Sequence, residues 1–321
     1  MAFGLAHSEL SYGSYLKLPQ LTELQTLLSD PPQHDELLFI VIHQVYELWF
    51  KQLLHELDAV TARLEADEPL GAQRLLMRCI EIERVLIAQL KVLETMTPND
   101  FLTFRDRLMP ASGFQSAQFR CIEAVCGVPS ERHLESFAAD SPEHAMLRAR
   151  IEGPKIVDGF YALLRRRGFD LPESLPANGR GSSPRTGTDA SSNDPSHDPS
   201  DASSNDPSDA SSHEHTDASR ANAQTSPPGA DPARERRIRE LARIYQSPDD
   251  HYSLFLLAEA LVEFDEMFTL WRIHHVQMVE RMIGAKPGTG GSEGVGYLRR
   301  TLGQKFFPEL WELRSVLGKQ G

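Results

Sequence analysis

Read for the periodicity of its apolar positions, the chain predicts long helices and no sheet. Between Asp35 and Glu65 neither Gly nor Pro interrupts a wide apolar arc of Leu38, Val41, Ile42, Val45, Leu48, Trp49 and Leu53. Recurrence at three and four residues is the spacing that lets one face of a helix be buried. The same style runs from Leu70 to Met96 and ends near Thr97-Pro98. Shorter helices are expected over 116–126, 156–167 and 234–245. Ser247-Pro248-Asp249-Asp250 has the make-up of a helix start, with a capping hydroxyl, Pro at the first helical position and acids in the first turn. A last long helix is therefore placed from there to about Ile283, where Gly284 stops it. Alternation with period two is nowhere sustained, so the expected fold class is all-α.

The pattern vanishes once, from about Pro172 to Ala233, where the chain is built of Ser, Asp, Pro, Asn, Gly and Thr. Inside this tract Asp189-Ala-Ser-Ser-Asn-Asp-Pro-Ser196 recurs as Asp201-Ala-Ser-Ser-Asn-Asp-Pro-Ser208, and Asp209-Ala-Ser-Ser212 begins a third copy. So polar a segment cannot bury enough surface to offset the entropy of ordering it. It is read as a disordered acidic insert over 174–233, dividing one helical domain into residues 1–173 and 234–321. Lengthening a surface loop costs only about 0.6 kcal/mol per doubling, so the insert need not disturb the fold. His197, His213 and His215 within it could bind metal weakly, but a solvated spacer is the default reading.

Composition and charge narrow the function classes. Apolar residues at 40% and charged residues at 25% suit a folded soluble chain long enough for a sizeable core. The net charge of −13 argues against a nucleic-acid binder, although much of it is local to Asp189–Ser219, which holds no Lys or Arg. Cys79, Cys121 and Cys126 make neither a disulfide framework nor a CxxC pair, which fits a reducing cytoplasm. Met1–Leu10 lacks the basic and apolar regions of a secretory leader. The strongest apolar run, Leu37–Ile42, is too short to span a bilayer, so no membrane role is expected.

Candidate chemistry lies on the long helices. Phe264, Phe268, Trp271, His275, Met278 and Met282 follow one another at spacings of 4, 3, 4, 3 and 4, which places them on one face. Two readings of His275 stand side by side: a core histidine bonded to a carbonyl or carboxylate, or an axial ligand to haem iron, whose macrocycle suits an apolar wall. His274 lies about 100° around the helix and should point away from the stripe. Phe39, His43 and Glu47 stack at i, i+4 and i+8 on the first long helix. A carboxylate-bridged di-metal centre would want Glu three residues before His, which neither Glu47 nor Glu280 provides. Arg105 stands in an aromatic, basic stretch that becomes loop-like from Met109 to Gly113. It could pair with Asp106 at the surface or, in a pocket, grip a carboxylate with its planar fork. Gly288–Gly296 is glycine-rich but has no preceding strand and no Gly-Lys-Ser/Thr, which excludes a P-loop. Its glycines instead let backbone and Thr289 approach a small ligand closely.

Taken in order, Ser11-Tyr-Gly-Ser-Tyr15-Leu, His34-Asp-Glu-Leu-Leu-Phe39-Ile-Val-Ile-His43-Gln, Glu47-Leu-Trp, Phe104-Arg105-Asp, Pro110-Ala-Ser-Gly-Phe-Gln-Ser116, Leu270-Trp-Arg and Gly288-Thr-Gly-Gly-Ser resemble the tryptophan 2,3-dioxygenase family. The likeness covers roughly residues 8–172 and 235–316. It implies a helical haem-dioxygenase fold whose two halves form one catalytic domain, with the C-terminal half carrying the haem-ligating helix. It also implies one haem b (iron protoporphyrin IX) per subunit of a homotetramer, and conversion of L-tryptophan and O₂ to N-formyl-L-kynurenine, the entry step of tryptophan catabolism by the kynurenine pathway.

Residue by residue, the resemblance makes His275 similar to the proximal iron ligand and His43 similar to the distal histidine that accepts the indole N–H bond. Phe39 and Phe101 match walls of the indole pocket, Arg105 the holder of the substrate carboxylate, and Thr289 a contact to the amino-acid end. Ser112 matches a residue beside the haem, and Trp271 is expected on the haem wall. Tyr12 and Tyr15 match a segment that closes over a neighbouring subunit's active site. Two positions depart from some relatives: Phe101 stands for Tyr, removing a hydroxyl, and His274 stands for Arg. A haem-binding sensor or carrier, or an indole dioxygenase with another preferred substrate, are the competing functions.

Overall fold

A computed structural model describes residues 10–172, 231–291 and 293–318; the tract with His197, His213 and His215, read above as a disordered insert, lies outside them save for its last residues. Among the described residues there are helices and turns and no strand. The helices are α1 (Tyr12–Leu16), α2 (Leu18–Leu21), α3 (His34–Glu65), α4 (Pro69–Leu93), α5 (Pro98–Arg105), α6 (Ala117–Val125), α7 (Pro142–Glu152), α8 (Ile156–Arg166), α9 (Pro232–Gln246), α10 (Tyr252–Ile283), α11 (Val295–Arg300) and α12 (Pro308–Glu312). Pro stands at the first turn of α4, α5, α7, α9 and α12, where its missing N–H costs no hydrogen bond. Thr97 and Asp100 form a capping box on α5, and Ser116 and Ser141 cap α6 and α7.

Three long helices set the frame. α3 and α4 form an antiparallel hairpin whose register is fixed by polar bonds across it. Tyr46 donates to the Leu86 carbonyl at 2.7 Å, Gln89 to the Ile42 carbonyl at 2.9 Å, and Arg78 to Glu56 at 2.7 Å. Leu53, Leu57, Val60 and Leu64 bury one side of α3, and Leu76, Cys79, Ile80 and Leu86 bury α4. α10 packs against α4 as well, while α6 and α8 cover α3. Because α3 and α10 both lean on α4 more than on each other, a cleft opens between them. α3 is long and apolar enough, by length and composition, to cross a membrane, unlike the short run seen in the sequence. In this fold it is a packing helix against α4, α5, α6 and α8.

The start of α10 differs from expectation. Ser247 is the C-cap of α9, its N–H bonded to the Arg243 carbonyl, so it cannot also open the next helix. Residues 248–251 form a turn, with the His251 N–H on the Ser247 carbonyl at 3.2 Å, and α10 begins at Tyr252. At the other end Gly284, at φ 57°, terminates α10 as anticipated. α9 starts at Pro232, capped by Asp231, slightly before the expected boundary. Behind the cleft, Tyr161 of α8 and Arg237 of α9 both bond Glu309 of α12, tying the C-terminal helices to the core.

Candidate active site

The cleft is a cavity of about 290 Å³, close to the lower bound of ligand-sized pockets. His43 and Glu47 of α3 line it opposite Trp271, His275, Met278 and Met282 of α10, with Leu90 and Leu93 of α4 between. Phe101 and Arg105 of α5, Ser112 and Thr289 complete the part foreseen from sequence. Tyr12 and Tyr15 are different: α1 packs chiefly on α2, and both rings stay outside this chain's cavity, exposed to solvent. His274 points outward and is exposed.

The two histidines are prepared differently. His43 faces the cavity, yet protein encloses it on the other sides, and burial holds its imidazole below the ordinary range against the raising pull of the Phe39 carbonyl and Glu47. Its Nδ1 lies 2.7 Å from the Phe39 carbonyl, one turn back. A carbonyl only accepts, so Nδ1 carries the proton, and Nε2 of the neutral ring is left as an acceptor. His275 is pushed down to about 4, first by burial and then by His43 across the cavity. It bonds no carbonyl or carboxylate among the described residues. Its ring stacks on Trp271 at 4.9 Å and 7°, and Trp271 meets Tyr46 edge-on at 6.2 Å. A neutral imidazole fixed on an aromatic ring is a competent ligand for a soft metal centre.

Aromatic packing shapes the His43 end. Phe39 lies 4.0 Å from the His43 ring, 5.6 Å from Phe101 and 5.7 Å from Phe104, while Phe101 and Phe104 meet edge-on at 5.5 Å. The wall thus offers flat apolar surface beside one hydrogen-bond acceptor, which matches an indole. Arg105 closes this end as the last residue of α5. It donates through Nη2 to the Pro287 carbonyl, and its Nη1 lies 3.8 Å from Asp106, beyond a hydrogen bond. With Asp106 itself at the surface, the fork is anchored without being neutralised by a close partner.

Two loops form the rim. Thr289 donates to the Ala111 carbonyl at 2.6 Å, and Ser112 caps the turn Gly113–Gln115 by accepting from the Phe114 N–H. A Cβ on Gly290 would fall 2.7 Å from that of Ser112, so only glycine lets the two loops close on each other.

Sequence reasoning missed much of the wall: Tyr46, Phe119, Arg120, Glu123, Arg272 and Tyr297. Arg272 precedes His275 by three residues and so shares its side of the helix, and Arg120 with Glu123 stands on α6 among Phe119, Cys121, Ile122 and Val125. Those were the available signals. Among the described residues, Arg120 Nε and Tyr297 Oη are buried without a hydrogen-bond partner. A planar apolar group with polar edges fits such a wall, since unpaired buried donors are otherwise costly. Among the described residues no cluster of three or more His, Cys, Asp or Glu could hold a bare metal ion. A porphyrin iron needs only His275 from this chain, and the apolar α10 face beside it suits the macrocycle, so the residues present fit haem.

Comparison with known proteins points the same way. The family model described as tryptophan 2,3-dioxygenase matches residues 4–170 and 238–317. A protein of a Nocardioides species with that name is 42% identical over 322 residues, covering 99% of this chain and 98% of its own length. Its Anaeromyxobacter dehalogenans counterpart is 39% identical, covering 97% of this chain and 98% of itself. A third, from Serratia proteamaculans, is 35% identical over 96% of this chain and 94% of its own. With both stretches that build the cavity inside the matched regions, this chain belongs to the tryptophan 2,3-dioxygenase family.

Proposed function

We propose that the chain is a haem-dependent dioxygenase that converts L-tryptophan and O₂ to N-formyl-L-kynurenine, the first step of the kynurenine pathway. The observation that carries this reading is the pairing of two neutral histidines across one aromatic cavity, with an anchored, unneutralised guanidinium at its end. Bound on His275, haem b supplies the reduced iron that activates O₂ for insertion into the indole C2–C3 bond. The protein's own part is to bind and orient. Phe39 and Phe101 flank the indole, Arg105 grips the carboxylate, and Thr289 with Ser112 holds the rim loops closed over the amino-acid end. Anaerobic reduction of the haem-loaded protein, followed by L-tryptophan and O₂, should give N-formylkynurenine absorbance. Haem binding without product would instead favour a sensor or carrier, and faster turnover of another indole would change the substrate.

His43 acts as a hydrogen-bond acceptor rather than a proton-abstracting base. Its Nε2 lone pair faces the cavity, but a neutral imidazole with a lowered proton affinity is a poor match for so weak an acid as indole N–H. A single hydrogen bond contributes about 0.5–1.5 kcal/mol, so His43→Ala should lose roughly two- to tenfold in kcat/KM. A haem-loaded His43→Ala that loses turnover as completely as His275→Ala would show that His43 does chemistry.

The assembly is assigned as a homotetramer in which Tyr12 and Tyr15 reach a neighbouring subunit's cavity. Two features support it. Both tyrosines project from α1 into solvent, and α3 and α4 expose Leu37, Val41, Leu48, Val85 and Val92 on their outer faces, a patch that a lone molecule would leave wet. Light scattering should report four copies for the wild type and fewer for a Leu48→Lys, Val85→Lys variant; a monomeric wild type would refute the assignment. Cys79, Cys121 and Cys126 are buried free thiols, which suits a reducing cytoplasm.

A further inference from the structure

Behind the cavity two guanidinium groups share one carboxylate. Arg120 Nη1 donates to Glu123 Oε2 at 2.7 Å and Arg272 Nη2 to Glu123 Oε1 at 3.1 Å. Arg120, Glu123 and Arg272 are all buried and all line the cavity. Two positive charges against one negative leave an excess of one. Neighbouring groups do not cancel it. Asp265 is turned to other donors, accepting from the Phe306 and Phe307 N–H groups and from Trp311 Nε1; burial pushes the Glu83 carboxyl well up, with neither oxygen partnered among the described residues, and His133 is held down at about 4. A buried charge left unpaired is costly, so an anion arriving in the cavity would relieve this wall.

The excess resides on Arg120. Arg272 is occupied at both ends, its Nη1 donating to the Gln304 carbonyl at 2.9 Å. Among the described residues, the Arg120 side chain makes only the Glu123 bond. Its Nε is buried without an acceptor, and Nη2 makes no hydrogen bond among the described residues. What holds the guanidinium is aromatic: it lies 4.8 Å from the Phe114 ring centre and 5.3 Å from that of Phe119. Phe119 packs on Trp271 at 5.2 Å, and Trp271 stacks on His275. Arg120 therefore stands on the His275 side of the cavity, whereas Arg105 belongs to the Phe39, Phe101 and His43 end.

We infer that Arg120, held by Glu123 and Arg272, binds a carboxylate arm of the cofactor, separately from the substrate carboxylate at Arg105. This rests on the haem-dioxygenase reading above. Iron porphyrin carries two propionate carboxylates on one edge of an otherwise apolar disc, which is the chemistry such a wall would accept. Arg120 is thus a cofactor-binding residue, and Glu123 a positioning residue acting through it.

The test loads the full chain with haem or with haem dimethyl ester, whose arms carry no charge, and follows release to excess apomyoglobin by the Soret band. Wild type should release the ester roughly ten- to a hundredfold faster, the range of one charge-assisted hydrogen bond. Arg120→Met should shrink that ratio towards one, and Arg105→Met should leave it unchanged while raising the KM for L-tryptophan. Should Arg120→Met fail to fold, the wild-type ratio and an Arg120→Lys variant, with an intermediate ratio, still decide. A wild type that releases both porphyrins equally, or a ratio surviving in Arg120→Met, overturns the inference. A large rise in the KM for tryptophan in Arg120→Met with an unchanged ester ratio reassigns Arg120 to the substrate carboxylate. Failure of wild type to take up either porphyrin sinks the underlying functional reading instead.

Discussion

His275→Ala is expected to leave the protein folded but without a Soret band after reconstitution and passage through a desalting column, and without product formation. Among the histidines of α10, His275 alone lines the cavity, and Trp271 fixes its plane by parallel stacking. Removing it leaves the macrocycle only apolar contact and its carboxylates, and deletes the axial ligand that sets the iron's reactivity. The cavity should remain, because Phe264, Phe268 and Met282 above and below still bury α10. External imidazole added to His275→Gly should therefore restore part of the band. A variant that keeps a wild-type spectrum and turnover would show that the ligand lies elsewhere.

The second large effect is at Arg105. Its fork is anchored on the Pro287 carbonyl and lies 3.8 Å from an exposed carboxylate, so a substrate carboxylate would become its principal ionic partner. At about 1.5–3 kcal/mol for a charge-assisted hydrogen bond, Arg105→Ala should lower kcat/KM roughly ten- to a few-hundredfold. Tryptamine, which lacks the carboxylate, should lose a similar factor on the wild type and little more on Arg105→Ala, since both changes remove the same interaction. A wild type indifferent between tryptophan and tryptamine would remove Arg105 from substrate binding.

Much of this is legible in the amino-acid sequence. The apolar arcs of α3, α4 and α10 are long enough that local pattern and tertiary burial agree, and Gly284 marks a stop that only a residue tolerant of positive φ makes easily. His43 and His275 stood out because each interrupts an apolar face. The misreading at Ser247 has a simple cause: one residue can close a helix or open the next, and sequence does not say which wins. α5 and α7 carry start signals in Thr97-Pro98 and Ser141-Pro142, but the first reads equally as the end of α4. The Arg120–Glu123–Arg272 cluster was out of reach, because Glu123 and Arg272 lie 149 positions apart and only the folded cavity brings them together. Tyr12 and Tyr15 show the opposite limit: their motif is plain in the sequence, but within one chain both rings meet only solvent and the fold gives them no role.

The central claim is that one cavity, between α3 and α10, takes an iron porphyrin on His275 and an aromatic amino acid against His43. An optical spectrum of the reduced, haem-loaded protein under nitrogen, recorded before and after adding L-tryptophan, tests both halves at once. The account predicts a Soret band in the first spectrum and a saturable change in it on adding L-tryptophan, much weakened with tryptamine. No Soret band, or a band unmoved by tryptophan at any concentration, would contradict it.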